Sequence, residues 1–193
     1  MAAETYQWLM AGSGQGDPFD RHLFACAIAI ALVDPDRSLA AGLGLSAENL
    51  AALIGLHFPQ APGLLSGLDQ DDDGAAPASL EEPDLRELLL NHRSHGYIAE
   101  EWLAHIIARR SLESNHLWQD LGLTGRPDLS LLMMRHFAPL AARNQTDMKW
   151  KKFFYRELCE QEGVALCKSP VCDTCCDFVQ CFGAEEGVSL LSI

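Results

Sequence analysis

The hydrophobic positions of this chain recur mostly at intervals of three and four residues, the spacing of one buried helix face. The pattern predicts helices over about 19–33, 46–58, 98–110, 129–142 and 148–160. Ser79 and Glu82 form a capping-box pattern that begins one more helix, through Leu85, Leu88 and Leu89. No segment shows the alternation typical of a strand. The predicted fold class is therefore all-α, with a single helical domain.

The chain has 193 residues, which is the length of one domain. We predict a helical domain over 1–166, with an acidic loop at about 67–79, and a cysteine-rich tail over 167–193 that belongs to the same domain. Pro170 and short polar spacers predict that the tail is an irregular loop. The longest apolar run, 22–33, is too short to cross a membrane. The first residues lack the positive charge of a secretory signal, so we expect a cytoplasmic protein.

The formal net charge of −13 argues against nucleic-acid binding, which requires a basic surface. The charge is unevenly distributed, because residues 126–168 hold 8 basic and 5 acidic side chains. A locally basic segment therefore leads into the cysteine-rich tail of an otherwise acidic chain.

Five of the seven cysteines lie within residues 167–181, as Cys167-x4-Cys172-x2-Cys175-x5-Cys181, with Cys176 inside the last spacer. Without an export signal, reduced thiols that bind a metal are expected before disulfides. Iron–sulfur clusters and zinc both accept thiolate ligands, and redox-active or inert thiols are further alternatives. Structural zinc commonly joins two distant pairs of ligands, whereas all of these cysteines are close in sequence. The spacing favours an iron–sulfur type of cluster over zinc.

Two other features are candidates for a role at this site. His116 lies among polar side chains that need partners, and it is a candidate nitrogen ligand. The segment 148–159 combines an apolar stripe, which we expect in the core, with a cationic surface. That surface either is simply solvated or attracts an anion. Its members are Lys149, Lys151, Lys152 and Arg156. Cys159, on the same predicted helix, is expected to be a buried thiol.

These segments resemble the NifQ family of nitrogen-fixation proteins, which supply molybdenum for the iron–molybdenum cofactor of nitrogenase. The resemblance rests on residues 116–123, 126–144, 148–159 and 166–183, and on 17–29 near the start. It implies a molybdenum- and iron-containing sulfur cluster bound by Cys167, Cys172, Cys175 and Cys181. It also implies partners in cofactor assembly, namely the NifEN scaffold and the nitrogenase iron protein.

The resulting hypothesis is a metallocluster carrier that is not an enzyme, since no nucleophile–base pair or phosphate-binding glycine loop is evident. Cys176 and His116 are candidate additional ligands, and Lys149, Lys151, Lys152 and Arg156 are candidates for steering molybdate. The alternatives are an electron-transfer iron–sulfur protein and a zinc-containing helical module that binds other proteins.

Overall fold

A computed structural model of the chain describes residues 1–68, 81–161, 163 and 178–191. The predicted all-α fold class is confirmed, and the described residues contain no strand. The helices are α1 (Ala2–Ala11), α2 (Pro18–Ala31), α3 (Leu39–Leu43), α4 (Ala47–His57), a 3₁₀ turn (Pro62–Leu65), α5 (Glu81–Asn91), α6 (Ile98–Ser111), α7 (Leu117–Asp120), α8 (Arg126–His136), α9 (Ala138–Ala141), α10 (Trp150–Gln161) and α11 (Phe178–Phe182).

The hydrophobic core is built around α2 and α6. Helix α2 packs against α1 and α3, while α6 packs against α3, α5 and α7, and α10 packs against α5. Phe24, Cys26 and Ile28 on α2 are completely buried. Burial of one large apolar side chain contributes about 1.5–3 kcal/mol, so this central packing stabilises the fold. A buried ion pair between Arg109 of α6 and Glu82 of α5, with 2.8 Å between nitrogen and oxygen, joins these two helices.

Two helices begin at residues whose side chains cap the first turn. The hydroxyl of Ser46 accepts a hydrogen bond from the amide of Asn49, as expected for the N-cap of α4. The carboxylate of Asp17 accepts a bond from the amide of Phe19, and Pro18 occupies the first position of α2. Local chemistry therefore sets the start of both helices.

The prediction of a single helix over 129–142 is wrong, because the structure has two helices, α8 and α9, separated at Phe137. Pro139 explains the break. In a continuous helix its ring would clash with the carbonyl group of Arg135, four residues earlier, and it has no amide hydrogen to donate to that carbonyl. The tail also differs from the predicted irregular loop, because residues 178–182 form the short helix α11. Helices α1, α3 and α7 were not predicted from the hydrophobic pattern.

A glycine allows α7 to approach α2 closely. Gly122 follows α7 with a φ of +73°, and a Cβ there would lie 2.9 Å from the carbonyl oxygen of Cys26. A larger residue would force α7 away from the core. Most of the predicted acidic loop lies outside the described residues, and the proposed division at residue 166 stays a prediction.

Candidate metal centre

One of the motif cysteines lies in the described part of the chain. Cys181 is on α11, with its side chain partly buried against the hydrophobic core. The other cysteines of the tail lie outside the described residues: Cys167, Cys172, Cys175 and Cys176. The complete set of metal ligands therefore stays a prediction.

Lys149 holds α11 against the start of α10. Its backbone amide donates to the carbonyl oxygen of Cys181 at 2.8 Å, and its Nζ donates to the carbonyl oxygen of Val179 at 3.3 Å. The bond from the ammonium group to a carbonyl oxygen is charge-assisted. Cys181 is thus anchored through its backbone carbonyl.

The segment that follows Cys181 docks on α7. The side chain of Gln119 donates to the carbonyl oxygen of Val188 at 3.0 Å, and Leu191 is buried in the core. Gly187 has a φ of +146°, and a Cβ at this position would lie 2.4 Å from Nε2 of Gln119. The positive φ therefore favours glycine here, while the end of the flexible Gln119 side chain fills the space beside it.

His116, the predicted nitrogen ligand, immediately precedes α7. Its amide donates to Oε1 of Gln119 at 3.2 Å, and its Nδ1 lies 3.8 Å from Oε1 of Glu185. Arg126 also contacts this carboxylate, with 3.0 Å between Nη1 and Oε1. The structure therefore brings His116 to the segment that follows Cys181, and its role as a ligand stays a prediction.

The apolar stripe of the basic segment is confirmed as part of the core. Trp150, Phe153 and Phe154 are buried and pack against one another, with ring centroids about 6 Å apart. Leu158 is only partly buried. With these rings in the core, Lys152 and Arg156 lie on the exposed side of α10, whereas Glu157 is buried.

Lys151 differs from the expected open cationic surface. Its Nζ lies 2.6 Å from Oδ2 of Asp120 and 2.6 Å from the carbonyl oxygen of Glu113. The Asp120 side chain is only 3 % exposed. Lys152 and Arg156 are exposed, and Arg156 pairs with Glu160 at 2.8 Å. Lys151 compensates a buried carboxylate, so its charge is directed into the protein.

The two cysteines outside the tail have different environments. Cys26 is completely buried, and burial, with the negative charge of Asp128 as a smaller cause, raises the pKa of its thiol. A thiol with a raised pKa holds little of the reactive thiolate. Cys159 is only partly buried, which corrects the expectation of an interior thiol.

The comparisons with known proteins agree with the resemblance seen in the motifs. The NifQ family model matches residues 23–183. The chain is 42 % identical to the Protein NifQ homolog of Sinorhizobium fredii over 174 residues, which are 89 % of this chain and 75 % of that protein. It is 41 % identical to Protein NifQ of Azotobacter vinelandii, over 74 % of this chain and 78 % of that protein. It is 45 % identical to Protein NifQ of Rhodobacter capsulatus, over 76 % of this chain and 79 % of that protein.

The chain belongs to the NifQ family. This family is linked to nitrogen fixation and to molybdenum processing. The matched residues include the whole cysteine motif, α7 and α10, as well as the start of the segment after Cys181. No solved structure is significantly similar to this chain. Within the part of the chain that the structure describes, no helix has the length and apolarity needed to cross a membrane.

Sequence reasoning on this NifQ-family chain missed several buried or partly buried charged residues that lie in or near the tail. It did not single out Arg126, Glu185 or Arg110. Arg110 is 5 % exposed, and its Nε and Nη2 have no hydrogen-bond partner among the described residues. Burial lowers the pKa of this guanidinium, although the acidic Glu113 and Asp120 nearby oppose the effect. An ion pair between distant positions leaves no local pattern, so no signal in the sequence singles out these residues.

Proposed function

We propose that this chain is a carrier, not an enzyme, that holds molybdenum within a molybdenum–iron–sulfur cluster. It binds this cargo through Cys167, Cys172, Cys175 and Cys181 and supplies the metal for the iron–molybdenum cofactor of nitrogenase. The observation that carries the proposal is the position of the four-cysteine motif inside the region matched by the NifQ model. Thiolates at this short spacing favour a cluster over structural zinc.

The chemistry of the cysteine ligands suits a metal that arrives as an oxyanion and is then retained by sulfur. Molybdate is a hard oxyanion, whereas thiolate and sulfide are soft ligands. Retention on sulfur therefore requires the oxygen ligands to be replaced. Cys181 fits such a ligand, because Lys149 anchors its backbone and its side chain is partly exposed. A ligand at the surface also allows a recipient protein to reach the cargo.

The basic segment supports a steering role in a narrower form than the full set of four cations. Lys151 is bound to Asp120, and Arg156 is paired with Glu160. Lys152 is exposed and forms no ion pair with any described residue, while Lys149 lies beside Cys181. We assign the attraction of molybdate mainly to Lys149 and Lys152. An exposed positive field raises the rate of encounter with an anion, and salt weakens it.

Two further ligands and two partners complete the proposal. Cys176 exchanges with the motif cysteines as the cargo is released. His116 contributes a nitrogen ligand, for which its place beside the segment after Cys181 gives support. The recipients are the proteins of cofactor assembly, the NifEN scaffold and the nitrogenase iron protein.

Metal analysis of anaerobically purified protein tests this function. We expect molybdenum and iron in a brown protein, and we expect alanine at any of the four motif cysteines to lower both metal contents. Cys26→Ala is the control, because Cys26 is buried in the core and should leave the metal content unchanged. Iron without molybdenum would favour electron transfer. A colourless, zinc-containing protein would instead favour the zinc module, since zinc is d¹⁰.

Protein purified in the same way also tests the steering role of the lysines and the two additional ligands. Lys152→Glu should slow molybdenum loading at low salt and match the original protein at high salt, whereas equal rates at all salt concentrations contradict steering. Cys176→Ala and His116→Ala should change the molybdenum-to-iron ratio or the rate of transfer to NifEN. An unchanged ratio and rate removes that residue from the ligand set.

A further inference from the structure

Arg126, the first residue of α8, joins two separate segments of the chain. Its Nη2 donates to the carbonyl oxygen of Asp147 at 2.8 Å, to Oδ1 of Asp147 at 2.7 Å and to the carbonyl oxygen of Met148 at 3.0 Å. Its Nη1 pairs with Oε1 of Glu185 at 3.0 Å. The Arg126 side chain is 21 % exposed and that of Glu185 only 5 %, so the contact with Glu185 is largely shielded from water, whereas Asp147 is 79 % exposed.

The first of these segments leads directly to the contact that holds Cys181. Asp147 has a φ of +53°, in the left-handed region that non-glycine residues rarely adopt. Asn144 supports this turn, because its side chain both donates to and accepts from the backbone of Met148 at 2.8 Å. Lys149 follows, and its amide binds the carbonyl oxygen of Cys181. Arg126 therefore stabilises an unfavourable turn that presents the anchor of Cys181.

The second segment begins just after the cysteine. Glu185 lies four residues beyond Cys181, and its side chain is 5 % exposed. A carboxylate at this depth needs a compensating charge, because burial without one costs several kcal/mol. Arg126 supplies this charge at hydrogen-bonding distance. The chain is thus held at two points, at Cys181 by the amide of Lys149 and four residues later by the ion pair of Glu185 with Arg126.

We propose that Arg126 is a positioning residue that sets the place of Cys181, the fourth cysteine of the motif, against the helical body. Arg126 acts through the Asp147 turn and through Glu185, and does not itself touch the metal. The proposal rests on the proposed function for the identity of the cargo. The placement of Cys181 itself can be measured without any metal.

The direct test uses the full-length, reduced, metal-free protein. Iodoacetamide alkylates the thiols, and cleavage after Asp177 and after Glu185 or Glu186 isolates Cys181 in its own peptide for mass spectrometry, also in a variant that lacks Glu185. We expect Arg126→Gln to raise the alkylation rate of Cys181 at least about tenfold, since it removes charged hydrogen bonds that oppose local opening. Arg126→Lys should give an intermediate rate, because one ammonium group cannot hold both segments.

The matched control is Arg135→Gln, on the same helix. Arg135 also forms ion pairs, with Asp17 at 2.8 Å and with Asp20 at 3.6 Å, but these contacts tie α8 to α2 and not to the tail. We expect this variant to leave the rate for Cys181 within about twofold of the original, whatever its effect on Tm. Rates that agree between the two variants overturn the proposal, because a general loosening of the fold would then explain any change.

Glu185→Gln provides a milder variant that keeps the Asp147 turn. It should raise the rate for Cys181 less than Arg126→Gln does, and the double variant should add little, because both changes remove one shared contact. Fully additive effects overturn the proposal. Cobalt titration gives a second readout, since the thiolate-to-cobalt absorption of Arg126→Gln should lose the contribution of one thiolate.

The alkylation experiment and the metal analysis can fail independently of each other. Protein without molybdenum would reject the carrier function, and the alkylation rates would still decide the role of Arg126. Molybdenum-containing protein with equal alkylation rates would retain the carrier function and reject the positioning role.

Discussion

Helix α2 and the segment 178–191 each contain a cysteine, and the chain holds these two regions in place by different means. Around Cys26, α2 is surrounded by apolar side chains, and most of its second half is completely buried. The segment 178–191 is held by the buried Leu191 and by polar bonds from Lys149, Gln119 and Arg126.

The comparison shows that the packing that stabilises the fold also determines how far solvent can reach each cysteine. Apolar burial is non-directional and stabilises the whole fold, but it excludes the enclosed cysteine from solvent and raises its pKa. Directional polar bonds to the backbone fix the position of a residue and leave its side chain able to meet a ligand. Cys26 therefore has a structural environment, whereas Cys181 keeps a partly exposed side chain, which its proposed role as a metal ligand requires.

The largest effect is expected from a cavity beside Cys26. Phe24→Ala should lower the free energy of unfolding by about 3–5 kcal/mol, because Phe24 is completely buried and its removal leaves space that the core fills only in part. Denaturant unfolding, followed by circular dichroism, measures the loss. Leu32→Ala, at the end of α2 where Leu32 is 41 % exposed, should cost less than about 1 kcal/mol. Similar losses in both variants would contradict the central role of α2.

A smaller loss of stability is expected when a buried ion pair, between Lys151 and Asp120, is broken. Lys151→Met should lower the free energy of unfolding by about 3 kcal/mol, because it leaves the carboxylate of Asp120 buried without its cation. Lys152→Met is the matched control at the next position, and its exposed side chain should make a difference within about 0.5 kcal/mol. If both variants unfold alike, Lys151 does not compensate a buried charge.

The smallest expected effect is on how the free energy of unfolding depends on pH, and it comes from His57, which packs against Phe24 of α2. Burial lowers the pKa of His57, whose ring packs 4.9 Å from that of Phe24. Between the folded pKa and about 6.5 the unfolded chain binds more protons, so stability is greatest above that range and falls as the pH decreases through it. His57→Gln should reduce this slope by up to about 1.4 kcal/mol per pH unit.

Unfolding measured at several pH values between 5 and 8 gives the slope for the two proteins. The same burial effect lowers the pKa of His22 and His105, so part of the slope should remain in the variant. A slope that His57→Gln leaves unchanged would show that His57 titrates alike in the folded and unfolded chain.

The hydrophobic pattern predicted the helical class and the positions of α2, α4, α6 and α10. It did so because helix periodicity and N-caps depend on residues within about one or two turns of each other. It joined α8 and α9 into one helix, although Pro139 is a local signal for the break. The short helix α11 also escaped the prediction, since five residues hold too little periodicity to be recognised.

For the candidate site, the sequence by itself determined the spacing of the cysteines, the basic character of the segment before them and the family resemblance. Only the tertiary structure decided that Lys151 faces Asp120, that Cys159 is partly exposed and that His116 meets Glu185. The contacts of Arg126 with Glu185 and of Lys151 with Asp120 join residues 59 and 31 positions apart. Such pairs arise from how helices pack and leave no mark in local sequence, because periodicity reports which face of a helix is buried and not which residue it meets there.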